Sequence, residues 1–168
     1  FTDDSVMSLA LCEALLESKP DFSDLREQAV AKMRAFGEAY PDAGYGRTFS
    51  CWLYFDDPQP YNSYGNGSAM RVSPCGFYAK TLDEALLLAK ISAEVTHNHP
   101  EGIKGAQAIA ACIFLARQGK DKKQICDYVE AHFEGYNLHR TLAEIRPDYG
   151  FRVSCQSSVP ESIISYLE

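Results

Sequence analysis

The chain has 168 residues, 46% hydrophobic and 23% charged, with 23 acidic against 16 basic residues and a net charge of −7. That length suits one domain, residues 1–168, and is short for two. The acidic balance, without any dense Lys/Arg run, speaks against nucleic acid as the main partner, and no apolar stretch is long enough to span a bilayer.

Helical periodicity dominates the chain. Val6, Leu9, Ala10, Cys12, Leu15 and Leu16 recur three and four apart, which predicts a helix over 5–16 that Pro20 ends. Ser23 is placed to cap a second helix running toward Tyr40, with Leu25, Ala29, Met33 and Phe36 on one side and Pro41 as its stop. Residues 41–67 differ in kind. They are rich in Gly, Pro, Asn, Asp and aromatics and read as loops around one short helix at 51–55. A helix is expected from just past Gly67 to Tyr78, and another after Thr81, where Glu84 stands at capping-box spacing. Pro100 falls at the first position of a further helix, whose GAQAIAACIFLA run predicts burial. Asp121 can cap the next, a weaker helical signal covers 141–145, and a last helix is expected after Pro160. RVSC, 152–155, is the lone strand candidate. The fold class read from this pattern is all-α, one compact orthogonal assembly of helices.

The six cysteines, at 12, 51, 75, 112, 126 and 155, are irregularly spaced without a CxxC pair and read as free thiols of a reducing compartment. No secretory leader is read at the start, so the expected location is cytoplasmic.

Three stretches carry chemistry. Thr2, Asp3 and Asp4 open the first helix, where carboxylates suit the positive end of the dipole. The same hard oxygens suit Mg²⁺ or a similar cation. In NSYGNGSAMR, 62–71, Gly65 and Gly67 can take backbone angles closed to other residues, and Asn66 tolerates left-handed ones. Such a run is either a tight turn or a concavity of N–H groups that fits phosphate, with Ser63 as a further donor and Tyr64 as a stacking surface. Gly44 and Gly46 form a second hinge of this sort. In THNHP, 96–100, His97 at a helix C-terminus is either a cap or a protonated donor to a phosphate oxygen. His99 has no assigned role.

Taken in order, FTDDS at 1–5, GYG at 44–46, SYGNGSAMR at 63–71 and THNHP at 96–100 resemble the ADP-ribosylglycohydrolase family, which includes dinitrogenase-reductase-activating glycohydrolase. The resemblance covers most of the chain. It implies an all-α fold and two divalent cations, Mg²⁺ or Mn²⁺, at the bottom of a cleft for ADP-ribose. It further implies that Thr2, Asp3 and Asp4 are metal ligands and that Asp3 and Asp4 are catalytic. Gly44, Gly46, Ser63, Gly65, Asn66, Gly67 and His97 are implied to wrap the phosphates and ribose, and Tyr64 to lie beside the adenine. The implied activity is metal-dependent hydrolysis of the bond between ADP-ribose and a protein side chain or small acceptor. The implied partner is an ADP-ribosylated protein or an ADP-ribose-containing small molecule.

Two family pieces are not found in this sequence: a carboxylate-bearing segment before TDD, and a C-terminal Asp-x-Asp motif that completes the metal pair. The expectation is therefore the central portion of the family domain, truncated at both ends. Such a chain would show little turnover alone and would self-associate through uncovered apolar faces. The alternatives are a module that binds ADP-ribose without hydrolysing it, and a helical scaffold in which every motif is capping chemistry.

Overall fold

A computed structural model describes all 168 residues. Ten α-helices follow one another: α1 Asp3–Glu17, α2 Leu25–Ala39, α3 Arg47–Leu53, α4 Gly67–Met70, α5 Ser73–Tyr78, α6 Leu82–Glu94, α7 Pro100–Arg117, α8 Lys122–His132, α9 Leu142–Ile145 and α10 Cys155–Leu167. A short 3-10 turn, Arg146–Asp148, extends α9. The fold is all-α.

α7 is the axis of the assembly, packing against α4, α5 and α6 and against α8 and α10. Its sequence explains how: Gly102, Gly105, Ala106, Ala108, Ala110 and Ala111 are buried, and small side chains let neighbouring backbones come close. A methyl group at Gly105 would stand 2.5 Å from Cys155 Sγ on α10, and one at Gly102 2.6 Å from the Ser63 carbonyl. Two cores result. One gathers Val6, Leu11, Met33, Trp52 and Leu88 from α1, α2, α3 and α6 against α7. The other gathers Ile125, Val129, Phe133, Val159 and Ile163 from α8 and α10.

The termini follow from local chemistry. Asp121 caps α8 with a full box, its carboxylate accepting from Gln124 N while Gln124 Oε1 accepts from Asp121 N. Thr81 Oγ1 accepts from Glu84 N, whereas the Glu84 carboxylate reaches Lys80 N, so only half of the expected box forms.

The N-cap of α2 is Asp24 rather than Ser23, and four further features differ from the sequence expectations. α3 begins at Arg47, because Gly46 caps it in an extended conformation and its far end buries Trp52 and Leu53. The helix expected over 67–78 is two helices. Pro74 lacks the N–H that would bond back to Met70, and the chain turns at Arg71 and Val72. α10 starts at Cys155, before Pro160, since burial of Cys155, Val159, Ile163 and Ile164 outweighs one lost backbone bond. RVSC forms no strand; it contributes a single bridge, Ser154 to Gly65.

All six cysteines are free thiols, with Cys75, Cys112 and Cys155 buried. No helix is long and apolar enough to cross a membrane.

Candidate functional site

The start of α1 does not cap itself in the ordinary way. Thr2 occupies the N-cap with extended backbone, yet its side chain accepts no helix N–H. Its hydroxyl donates instead to Asp4 Oδ2 at 2.9 Å, and Asp3 Oδ1 accepts from Asp4 N at 3.1 Å. Asp3 N donates to Ala43 O at 2.8 Å, which fastens this helix mouth to the Gly44 loop. Burial, and then the neighbouring charge of Asp4, hold the Asp3 carboxyl above its usual range. Two adjacent carboxylates, Asp3 partly buried and Asp4 exposed, and a hydroxyl are the hard oxygen donors that a divalent cation such as Mg²⁺ takes.

Gly44 has φ +93°, a conformation that strains any L side chain, so glycine is required there by the backbone. Gly65 and Gly67 are different. Neither has positive φ, and Asn66 is right-handed; the left-handed residue of this loop is Asn62, φ 53°. The expectation that these glycines supply special angles is corrected. Gly67 is small because His97 lies against it, a Cβ there standing 3.2 Å from His97 Nε2; at Gly65 the nearest atom is Ser63 Oγ at 3.2 Å, with His97 Nε2 in ordinary contact at 3.5 Å.

Asn66 ties this loop to the far end of the chain. Its N–H donates to Val153 O at 2.8 Å, and its side-chain amide donates to Arg152 O at 3.3 Å and Ser158 Oγ at 3.1 Å. Cys155 N donates to Tyr64 O at 2.9 Å beside it. Gly65 N donates to Ser63 Oγ at 3.1 Å.

His97 is 5% exposed. Burial, and then the positive charge of Arg71, pull its pKa down to about 3. The expected imidazolium donor is therefore a neutral imidazole at ordinary pH. His99 is the N-cap of α7, its Nδ1 accepting from Glu101 N at 3.1 Å, and the Tyr64 ring meets it edge-on at 5.4 Å.

A cleft of about 940 Å³ brings part of the predicted set together. Thr2, Asp3, Asp4, Gly44 and Asn66 line it, with Met70 and Ile109 among its apolar wall. Gly46, Ser63, Tyr64, Gly65, Gly67 and His97 do not line it. Asn66 is thus the link between the acidic cleft and the loop that covers His97. The cleft also holds Arg146, Tyr149, Phe151, Arg152, Ser158 and Glu161, none of which the sequence reading singled out. Arg146 and Arg152 form no ion pair, while Glu161 pairs with Arg140 at 2.8 Å. These residues lie in a stretch with weak periodicity and a lone glycine, Gly150, and the bonds between 64–66 and 152–158 together with the packing of α10 on α7 bring them to the cleft. No three His, Cys, Asp or Glu side chains converge into a group that could hold a metal ion.

A sequence profile of the ADP-ribosylglycohydrolase family matches residues 1–164. The chain belongs to that family. Among curated relatives, ADP-ribosylhydrolase ARH3 of Gallus gallus is 27% identical over 217 residues, covering 99% of this chain and 58% of the relative. ARH3 of Homo sapiens is 30% identical over 141 residues, 74% of this chain and 37% of its own. The uncharacterized protein YegU of Escherichia coli K12 is 31% identical over 136 residues, 76% of this chain and 41% of its own. The chain therefore spans 37% to 58% of the length of these relatives. ADP-ribosylglycohydrolases are generally dependent on divalent metal.

Proposed function

We propose that this ADP-ribosylglycohydrolase acts in divalent-metal-dependent hydrolysis of the glycosidic bond joining ADP-ribose to a protein side chain or a small acceptor. One observation carries the reading. In a member of this family, the Thr2–Asp3–Asp4 mouth and Asn66 share one cleft, with the loop over His97 adjoining it. Thr2, Asp3 and Asp4 would hold the cation, Mg²⁺ or Mn²⁺, which when bound supplies Lewis acidity and a more acidic water.

The chain's own residues do the positioning. Glycosidic cleavage develops positive charge at the anomeric carbon, and the Asp3 and Asp4 carboxylates face that demand with negative charge. Asp3, with its carboxyl held above the usual range, accepts a proton more readily than an ordinary aspartate. Gly44, Gly46, Ser63, Gly65, Asn66, Gly67 and His97 bind the phosphates and ribose at a distance from the broken bond, so that binding energy fixes the sugar. Tyr64, half exposed, offers its ring to the adenine. The direct test is release of ADP-ribose from an ADP-ribosylated protein with Mg²⁺, with Mn²⁺ and with chelator. Equal release in all three would remove the metal-dependent mechanism.

A second reading, ADP-ribose binding without turnover, is favoured by the metal donors coming from one helix start alone. Thermal melting with ADP-ribose in a preparation that shows no release would support it. Leu9 and Leu16, 59% and 68% exposed, stand on one face of α1 and support self-association, which sedimentation velocity measures.

A further inference from the structure

Arg71 is 1% exposed and no carboxylate pairs with it. A guanidinium taken out of water without a counter-charge is costly, and such groups are kept where something repays them. Its Nη2 donates to Ser92 O at 2.9 Å and to Thr96 Oγ1 at 2.8 Å, while Nε has no partner. Arginine can only donate, so Thr96 Oγ1 accepts on that side. The Thr96 hydroxyl also lies 2.6 Å from His97 Nδ1 and is a hydrogen-bond partner of the Tyr61 side chain. With the hydroxyl hydrogen directed to the ring, Nδ1 is the acceptor and the single proton of a neutral imidazole sits on Nε2, the arrangement the proposal below takes. Nε2 is the ring atom nearest to the Cβ positions of both Gly65 and Gly67.

We propose that Arg71 is a positioning residue for an anionic ligand: through Thr96 it fixes His97 as an Nε2–H donor facing the glycine loop. Its unpaired positive charge, one hydroxyl away from His97, is balanced when a diphosphate group binds against the His97 side of the glycine loop. Neither Arg71 nor Thr96 touches the ligand. The chemical class recognised is a pyrophosphate ester, and this role rests on the reading of the site as an ADP-ribose site.

The test has two parts on the full chain. ¹⁵N NMR of the histidines reports the tautomer directly, and His97 is expected as Nε2–H in the ligand-free protein. Calorimetric titration with ADP-ribose and with inorganic pyrophosphate then compares wild type, Thr96→Val, Thr96→Ser and Arg71→Met. Loss of a charge-assisted contact predicts about tenfold or greater weakening for both ligands in T96V and R71M, with T96S close to wild type. T96V also loses the single-tautomer signature, which a merely structural threonine would not govern. If R71M does not fold, the T96V and T96S pair decides the matter. A wild-type Nδ1–H tautomer, or T96V binding both ligands as wild type does, overturns the proposal. A wild type with the Nε2–H tautomer but no affinity for either ligand removes the ADP-ribose reading and, with it, the role given to Arg71.

Discussion

The Asn66 side-chain amide donates to the hydroxyl of Ser158, 92 positions further along the chain, at 3.1 Å. With its second bond to Arg152 O, this one side chain joins the glycine loop to the arm that carries Arg146, Tyr149 and Arg152 into the cleft. Asn66→Ala removes both bonds at a partly buried position, an expected loss of about 1–2 kcal/mol. For a chain of this size that corresponds to a fall in Tm of roughly 2–8 °C. Asn66→Asp is expected to be worse, because a carboxylate cannot donate and would face the Arg152 carbonyl. Hydrogen exchange should quicken at 150–155 in both variants while the α7 core stays protected. Unchanged exchange there would show that the clasp is not what holds the arm.

The glycines of the site sort by what surrounds them. Gly46→Ala meets no atom within 4 Å and keeps an ordinary φ of −62°, so its Tm should be unchanged. Gly44→Ala also has open space but carries φ +93°, an expected cost of about 1 kcal/mol from the backbone alone. Gly67→Ala has no backbone penalty, yet its methyl would lie 3.2 Å from His97 Nε2. It should fold with near-native stability and lose ADP-ribose affinity, measured by calorimetry. A Gly67→Ala variant that binds as wild type does would show that His97 has no part in the site.

Depression of the His97 pKa fixes a pH window for stability. Unfolded, the imidazole titrates near 6.5; folded, burial and the charge of Arg71 bring it down to about 3. Between those values the unfolded chain binds the extra proton, so stability rises with pH through this window. The contribution is complete above about pH 6.5 and is lost as pH falls toward 3. Other groups around the imidazole do not reverse the sign, since Arg71 and Tyr61 do not change charge there. Urea unfolding at pH 7, 6, 5 and 4 should show the decline, and His97→Gln should flatten it. Because the folded imidazole is already neutral, ADP-ribose affinity should not fall between pH 6 and 8, as it would if His97 bound phosphate as a cation.

How much of this was legible beforehand divides along physical lines. Helices with a periodic apolar face and a polar cap, such as α6, α7 and α8, were readable because the signal is local. The break at Arg71 and Val72 is local too, since Pro74 marks it in the sequence, whereas the inward turn of Arg71 to Thr96 and Ser92 is not. Thr2, Asp3, Asp4, Gly44 and Asn66 were named from the sequence and share a cleft in the structure. The sequence points to backbone freedom at Gly65 and Gly67, whereas in the structure Gly67 is held small by His97 and Gly65 by Ser63 Oγ. Arg146, Arg152 and Glu161 carry no local marker, because their place depends on α10 packing against α7 and α9 and on the bonds of 64–66 to 152–158, and no local pattern encodes contacts across so much sequence.

Asp3 and Asp4 set stability against function. Burial and the charge of Asp4 raise the Asp3 pKa, so the folded state holds the Asp3 proton more tightly than the unfolded chain does. By linkage, this costs stability once pH rises through the folded pKa, and the cost is fully present at neutral pH. Removing the Asp3 charge relieves it, and removing that of Asp4 relieves the smaller, coulombic part. In chelator at pH 7, Asp3→Asn and Asp4→Asn are each expected to melt at or slightly above the wild-type temperature. Added Mg²⁺ should then raise the wild-type Tm by mass action and leave both variants where they are. ADP-ribose release should fall by two orders of magnitude or more in each, about the size expected for a proton-transfer or metal-holding group. A Mg²⁺-dependent shift that persists in the Asp3→Asn, Asp4→Asn double variant would place the cation elsewhere in the molecule.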